Sequence, residues 1–175
     1  VTIAAGAQTA TIDVTGIVND ALLEANETVT VTLTSTSNVA VSVDATPATV
    51  TIADNETATV TLSANDPNAA EAGADPGQFT VDLGKVNNTG SAITVNYSVG
   101  GSATATTDYT ALSGSVTIAA GAQTATIDVT GIIDDALLEA NETVIVTLTS
   151  TSNAAVGVNA TPATVTIADN ETATV

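Results

Sequence analysis

The stretch Thr124–Ser150 reads TATIDVTGIIDDALLEANETVIVTLTS. Its two ends alternate with period two. Ala125, Ile127 and Val129 fall on one face, and Thr124, Thr126, Asp128 and Thr130 on the other. Val144, Val146 and Leu148 alternate in the same way with Thr143, Ile145, Thr147 and Thr149. That pattern predicts half-buried antiparallel strands. Between them Asp134, Asp135, Glu139 and Glu142 crowd into nine residues. DALLEANE is long enough for one helical turn and too short for an independent helix.

Nearly the same text stands 115 residues earlier. Val1–Val60 and Val116–Val175 differ at six of sixty positions: Val18/Ile133, Asn19/Asp134, Thr30/Ile145, Val39/Ala154, Ser42/Gly157 and Asp44/Asn159. The period predicts a 115-residue repeat and sets the expected domains. Residues 1–56 are the back half of one repeat, 57–171 a complete one, and 172–175 the start of a third. The chain thus reads as a window of a longer periodic protein.

Within the complete unit, strands are expected at Thr57–Ala64, Gln78–Gly84, Ala92–Val99, Ser115–Ala119, Gln123–Thr130, Glu142–Ser150 and Ala163–Ala168. Turn residues separate them, among them Gly73, Pro76, Asn87, Asn88, Gly90, Gly101, Gly121, Asn153 and Pro162. Seven short strands in one period predict an all-β fold, a seven-stranded antiparallel immunoglobulin-like β-sandwich in tandem repeats. The Cys–Trp–Cys core of a true immunoglobulin domain is missing, since the chain has neither residue.

Composition narrows the partners. The 175 residues are 44% hydrophobic, enough for a core, and rich in β-branched residues that suit strands. Nineteen acids face one cation, Lys85, for a net charge of −18. Phosphate binding needs clustered Lys and Arg, so nucleic acid and anionic membrane surfaces are excluded as expected partners. No apolar run is long enough for membrane insertion. Without Cys or His there is no disulfide framework, no thiolate or imidazole metal site and no nucleophilic triad. A carboxylate pair could in principle hydrolyse glycosides. These acids recur in a near-identical copy, however, whereas a catalytic pair is usually unique, so no enzymatic activity is expected.

The acids are not spread evenly. Thirteen of nineteen lie in or beside expected loops. In the complete unit these are Glu71, Asp108, Asp134, Asp135, Glu139, Glu142, Asp169 and Glu171; in the half unit, Asp20, Glu24, Glu27, Asp54 and Glu56. Alternate loops of a sandwich emerge at the same end, and the eight acids of the complete unit share that parity. Two carboxylates ~4 Å apart repel by roughly 4 kcal/mol at an effective dielectric near 20. A bound cation relieves this, and hard oxygen ligands suit Ca²⁺ better than Mg²⁺ or zinc. The spacing is not that of an EF-hand.

TTDYTALSGSVTIAAGAQTATIDVTGIIDDALLEANETV, followed by ATVTIADNE, resembles the Calx-beta domain, a repeat of sodium–calcium exchangers and of large bacterial surface proteins. The resemblance covers residues 57–171 and 1–56. It implies a seven-strand sandwich with a Ca²⁺ cluster at one end. It implies ligands at Glu71, Asp108, Asp134, Asp135, Glu139, Glu142 and Asp169 and a backbone carbonyl near Leu137, with Asn170 and Glu171 in the closing acidic run. The half-unit counterparts are Asp20, Leu22, Glu24, Glu27 and Asp54. Departures from the family pattern are Ala136 after the acidic pair, Asn170 in the closing run and Asn19 in the half unit; they imply fewer or weaker ions.

The expected function is therefore a calcium-binding structural repeat of a large extracellular bacterial protein. Ions between adjacent repeats would make a stiff stalk or filament shaft of the adhesin type at the cell surface. The alternatives are a calcium-sensing regulatory module and an acidic, salt-adapted spacer. Adhesion by the repeats themselves is disfavoured, because the only aromatics are Phe79, Tyr97 and Tyr109, and the two tyrosines read as core or corner residues. The Asn-x-Thr triplets at Asn26, Asn55, Asn141 and Asn170 read as incidental. A half sandwich leaves sheet edges and half a core open. The missing strands are expected upstream or on a neighbouring identical chain.

Overall fold

The computed structural model describes residues 1–173, and every regular element among them is a strand. The expected Thr172–Val175 segment therefore lies partly outside the described residues. In chain order the strands are β1 (Leu23–Glu24), β2 (Glu27–Val31), β3 (Ala48–Ile52), β4 (Ala58–Asp66), β5 (Asn68–Ala70), β6 (Gly77–Asp82), β7 (Asn87–Asn88), β8 (Ile93–Gly100), β9 (Ser115–Ile118), β10 (Thr124–Val129), β11 (Glu142–Thr151), β12 (Val156–Val158) and β13 (Ala163–Ala168). Among the described residues no helix is long and apolar enough to cross a membrane.

The chain forms two compact units. Val1–Ala21 with Ala25–Asn55 make the first; Leu22–Glu24 with Glu56–Val175 make the second. In the second unit β10-β6-β4-β12 form one sheet and β5-β13-β11-β8-β9 another. The seven expected strands are its long members, β4, β6, β8, β9, β10, β11 and β13, and all contacts among them within a sheet are antiparallel. The short β5, β7 and β12 were not expected. β5 joins β13 and β12 joins β4 in parallel, and β7 pairs in parallel with β1.

Alternation builds the core between the two sheets. Val60, Phe79, Val81, Ile127 and Val129 point inward from one sheet; Ile93, Val95, Val144, Val146, Leu148, Val165 and Ile167 point inward from the other. Phe79 is the largest fully buried side chain, and burying such a group is worth about 1.5–3 kcal/mol. Tyr97 and Tyr109 are core residues; the Tyr97 hydroxyl lies 3.3 Å from Ser113 Oγ.

A single irregularity carries the chain from one sheet to the other. The β4–β6 register shifts between Ala64 and Asp66, and such a shift bends a strand. Pro67 follows, with its carbonyl accepting from Thr166 N at 2.8 Å. The chain thereby leaves the first sheet and continues as β5 beside β13 in the second.

The first unit has one sheet, the antiparallel pair β2–β3. Its register, Glu27↔Ile52 to Val31↔Ala48, is that of Glu142↔Ile167 to Val146↔Ala163 displaced by the repeat period. The counterparts of β9, β10 and β12 do not form strands there, although their sequences are almost unchanged. The cause is pairing. β9 is held by β8, β10 by β6 and β12 by β4, and residues 1–56 carry no equivalent of those three partners. Only the β11–β13 pair lies wholly within the repeated stretch 116–170, and only its counterpart persists.

Candidate metal centre

Four chain segments supply the acids of the second unit. Glu71 is set by the strand that changed sheets. β5 runs beside β13 with Ala70 opposite Ala168, so the next residues, Glu71 and Asp169, emerge side by side. Glu71 N donates to Ala168 O at 3.1 Å. A left-handed turn through Gly73 and Ala74 then closes the loop, with Ala74 N on Glu71 O at 2.7 Å.

Asp108 sits in the loop between β8 and β9. Thr104 N donates to its Oδ2 at 2.6 Å, and Ile133 N donates to its carbonyl at 3.0 Å. The second bond ties this loop to the acidic one. Gly101 makes the approach possible: its φ is +113°, and a Cβ there would collide with the carbonyl oxygen of Thr143. Glu142 opens β11. The closing segment follows β13, where Asp169 N donates to Asn141 Oδ1 at 3.4 Å and Asn170 Nδ2 to Asp134 Oδ1 at 3.5 Å.

The carboxylates converge. One oxygen each from Glu71, Asp134 and Glu171 lie within 4.8 Å of one another. Glu71 is only 7% exposed. Glu71 Oε2, Asp169 Oδ1 and Glu171 Oε2 are shut off from solvent and accept no hydrogen bond. A buried acceptor without a donor costs about 1–3 kcal/mol, more when charged, and these three anionic oxygens belong to one cluster.

Titration reflects the crowding. Burial pushes the Glu142 carboxyl from 4.5 to about 7, helped by its hydrogen bond to Asp108 and the charges of Asp108, Glu139 and Glu71. Burial also raises Glu71, followed by the charges of Asp169, Glu171, Asp135 and Glu139. Glu171 is raised by burial, by its hydrogen bond to Asp169 and by the charges of Asp169 and Asp134. Glu71, Glu142 and Glu171 thus each feel several of the other acids singled out in residues 57–171. Asp135 Oδ1 accepts Leu137 N at 2.6 Å, and the Leu137 side chain and Glu139 are exposed.

The half-unit residues are not members of the tight cluster. Asp20, Glu27 and Asp54 belong to the first unit, while Leu22 and Glu24 group with the second, where Glu24 pairs with Asn88. Asn141 had no expected role beyond an incidental triplet, yet it fixes the closing segment. The signal was in the repeat: Asn26 Oδ1 accepts Asp54 N at 3.1 Å, the same bond one period earlier.

A β-sandwich with an acidic, donor-poor loop end defines the class as a candidate cation-binding module. The Calx-beta domain family matches over residues 1–56 and 57–171, and the chain belongs to that family. Among solved structures it is similar to CBD12 from CALX1.2, at 20% identity and a TM-score of 0.51, and to calcium binding domain CBD12 of CALX1.1, at 20% identity and a TM-score of 0.50. Each likeness covers 63% of this chain and 44% of the other, so the chain spans less than half the length of those structures. At this identity they speak for the fold. No curated protein matches the sequence.

Proposed function

We propose that residues 57–171 form a calcium-binding repeat and that the ion joins four loops at one end of the sandwich. The observation that carries this reading is the set of buried oxygens without donors on Glu71, Asp169 and Glu171, beside Asp134. A cation supplies what the protein does not. Ca²⁺ accepts about 6–8 oxygens in flexible geometry, which suits ligands from four loops, whereas Mg²⁺ requires a tight octahedron and retains water. The proposed ligands are Glu71, Asp108, Asp134, Asp135, Glu139, Glu142, Asp169 and Glu171, with the Leu137 carbonyl. In the first repeat the corresponding set is Asp20, the Leu22 carbonyl, Glu24, Glu27 and Asp54.

The role we infer is structural: a calcium-stiffened stalk or shaft of an extracellular bacterial surface protein, in which adjacent repeats are the chief partners. Near-identity of the two copies supports it, since an array whose value is length tolerates uniform units. At 100 times its Kd one ion stabilises a domain by about 2.7 kcal/mol, a large share of the usual 5–15 kcal/mol.

The test is thermal unfolding of the chain in Ca²⁺, in Mg²⁺ at equal ionic strength, and in chelator. A calcium-specific rise in midpoint, lost in Glu71→Gln, supports the reading. Equal midpoints in all three would reduce the acids to a salt-adapted surface.

A further inference from the structure

The acidic stretch occurs twice, and its leucines meet two fates. Leu137 and Leu138 are 60% and 59% exposed, so residues 57–171 hold this pair away from their own core. Their counterparts Leu22 and Leu23 stand in the same text, DALLEANET. Leu22 is 47% exposed, but Leu23 is at 0% and belongs to the core cluster of the second unit, with Leu83, Ile93 and Ile118. The backbone there is β1, beside β7, with Leu23 opposite Asn87 and Glu24 opposite Asn88. β7 is itself pinned from behind. Asn87 N donates to Ala122 O at 2.9 Å and Gly121 N to Asn87 O at 2.8 Å. The buried Asn87 Nδ2 donates to the carbonyls of Ser91, Ile118 and Ala119. A fixed strand edge beside a pocket for one side chain is a general way to hold an extended peptide.

The two features lie at opposite ends of the sandwich. Thr124, at the start of β10, pairs with Asp82 at the β7 end, whereas Val129, just ahead of the acidic loop, pairs with Gly77. One repeat therefore presents a leucine at one end and receives a leucine at the other, which is the geometry of a heterologous, head-to-tail contact. The chain's one cation, Lys85, lies two residues before Asn87, on the loop that receives an acidic ligand.

We propose that Leu-Leu-Glu is a docking tongue, that the β7 end of residues 57–171 is its socket, and that the exposed Leu137–Glu139 is the tongue for the β7 end of another copy of these residues. Leu138 takes the place of Leu23, and Glu139 that of Glu24 beside Asn88. The docking does not depend on the calcium reading, and its test is made in chelator.

The experiment reads backbone hydrogen exchange on the full chain at about 0.15 M salt, where the Debye length is about 8 Å and repulsion between acidic partners is screened. Leu23→Asp empties the socket. Amides of 22–24, 87–88 and 121 should then exchange at least tenfold faster, while those of 142–146 and 163–167 keep their rate. The peptide IIDDALLEANET, the sequence of Ile132–Thr143, should restore slow exchange at 87–88 and 121; the same peptide with Leu138→Asp should not. Equal rescue by both peptides, or by neither, would overturn the proposal. Val18→Asp, at an exposed position of the same stretch, should leave all these amides unchanged, and an effect equal to that of Leu23→Asp would count against a specific socket. Should Leu23→Asp unfold residues 57–171, Leu23→Ala is read in its place. Faster exchange confined to 22–24, 87–88 and 121 is again expected, whereas an even rise over 57–171 would make Leu23 an ordinary core residue and end the idea of a tongue.

Discussion

Glu71 shows how one side chain acquires a function through its neighbours' charges. It is buried, lacks a donor on Oε2 and faces Asp169 and Glu171. Removing its charge should have opposite effects in two conditions. Glu71→Gln should raise the midpoint in chelator by a few degrees, on the scale of ~1 kcal/mol for about 4–8 °C in a domain of this size, and lower it in calcium. Calorimetry of both forms checks the crossing. Glu142 makes a pH prediction. Its folded pKa, about 7, stands above the ordinary 4.5, so the folded state holds the proton more tightly than the unfolded one. Its contribution to stability is full below about pH 4.5 and is lost as pH rises through about 7. In chelator, the midpoint of the second unit should fall across that window, and Glu142→Gln should flatten the fall. Gly101→Ala should cost stability in any condition, by about 1–3 kcal/mol, because the added methyl meets Thr143 O in a backbone region that only glycine enters cheaply. Urea titration measures it.

Elements were legible in proportion to their length and alternation. β10 and β11 could be read from period two alone, and the seven long strands lie within a residue or two of their expected bounds. β5, β7 and β12 are two or three residues long and pair in parallel at edges; nothing periodic marks so short a strand. The most consequential of them, β5, depends on a bend at Asp66–Pro67 that moves the chain between sheets, and composition does not encode such a crossing. The loop acids were legible because loop parity follows from strand count. Which three approach most closely was not, because it depends on the β5–β13 register. Asn87 shows a similar limit. It read as a turn residue, yet it is fully buried and its Nδ2 donates to the carbonyls of Ser91, Ile118 and Ala119. It fastens β7 to the end of β9. Asn87→Ala would remove the Nδ2 bonds to Ser91, Ile118 and Ala119 from a buried position, and a loss of about 1–3 kcal/mol in chemical denaturation is expected.

At the scale of the whole chain, two near-identical sequences lead different structural lives. Propensity and pattern are the same in residues 1–55 and 116–170, yet β9, β10 and β12 form only where β8, β6 and β4 are present to pair with them. Tertiary pairing, not local preference, decides whether these segments are strands. Limited proteolysis should expose the difference. A segment is cut when it opens locally, and opening is easiest where few side chains are buried. Cleavage should therefore begin within residues 1–15 and 32–47, which hold no strand, no buried side chain and no proposed ligand, and should be indifferent to calcium there. In the second unit the susceptible backbone is 102–110 and 131–141, the two loops that carry Asp108 and the acidic run. If an ion links Asp108, Asp134 and Glu142 to Glu71 and Asp169, calcium ties both loops to β5 and β13, and their cleavage should slow by tenfold or more while cutting within 1–15 and 32–47 proceeds at its former rate. Mass spectrometry of the first fragments distinguishes the cases. Calcium protection confined to 102–110 and 131–141 marks a local clamp, whereas protection spread evenly over the chain would mean that screening of the −18 net charge, and not a bound ion, accounts for the effect.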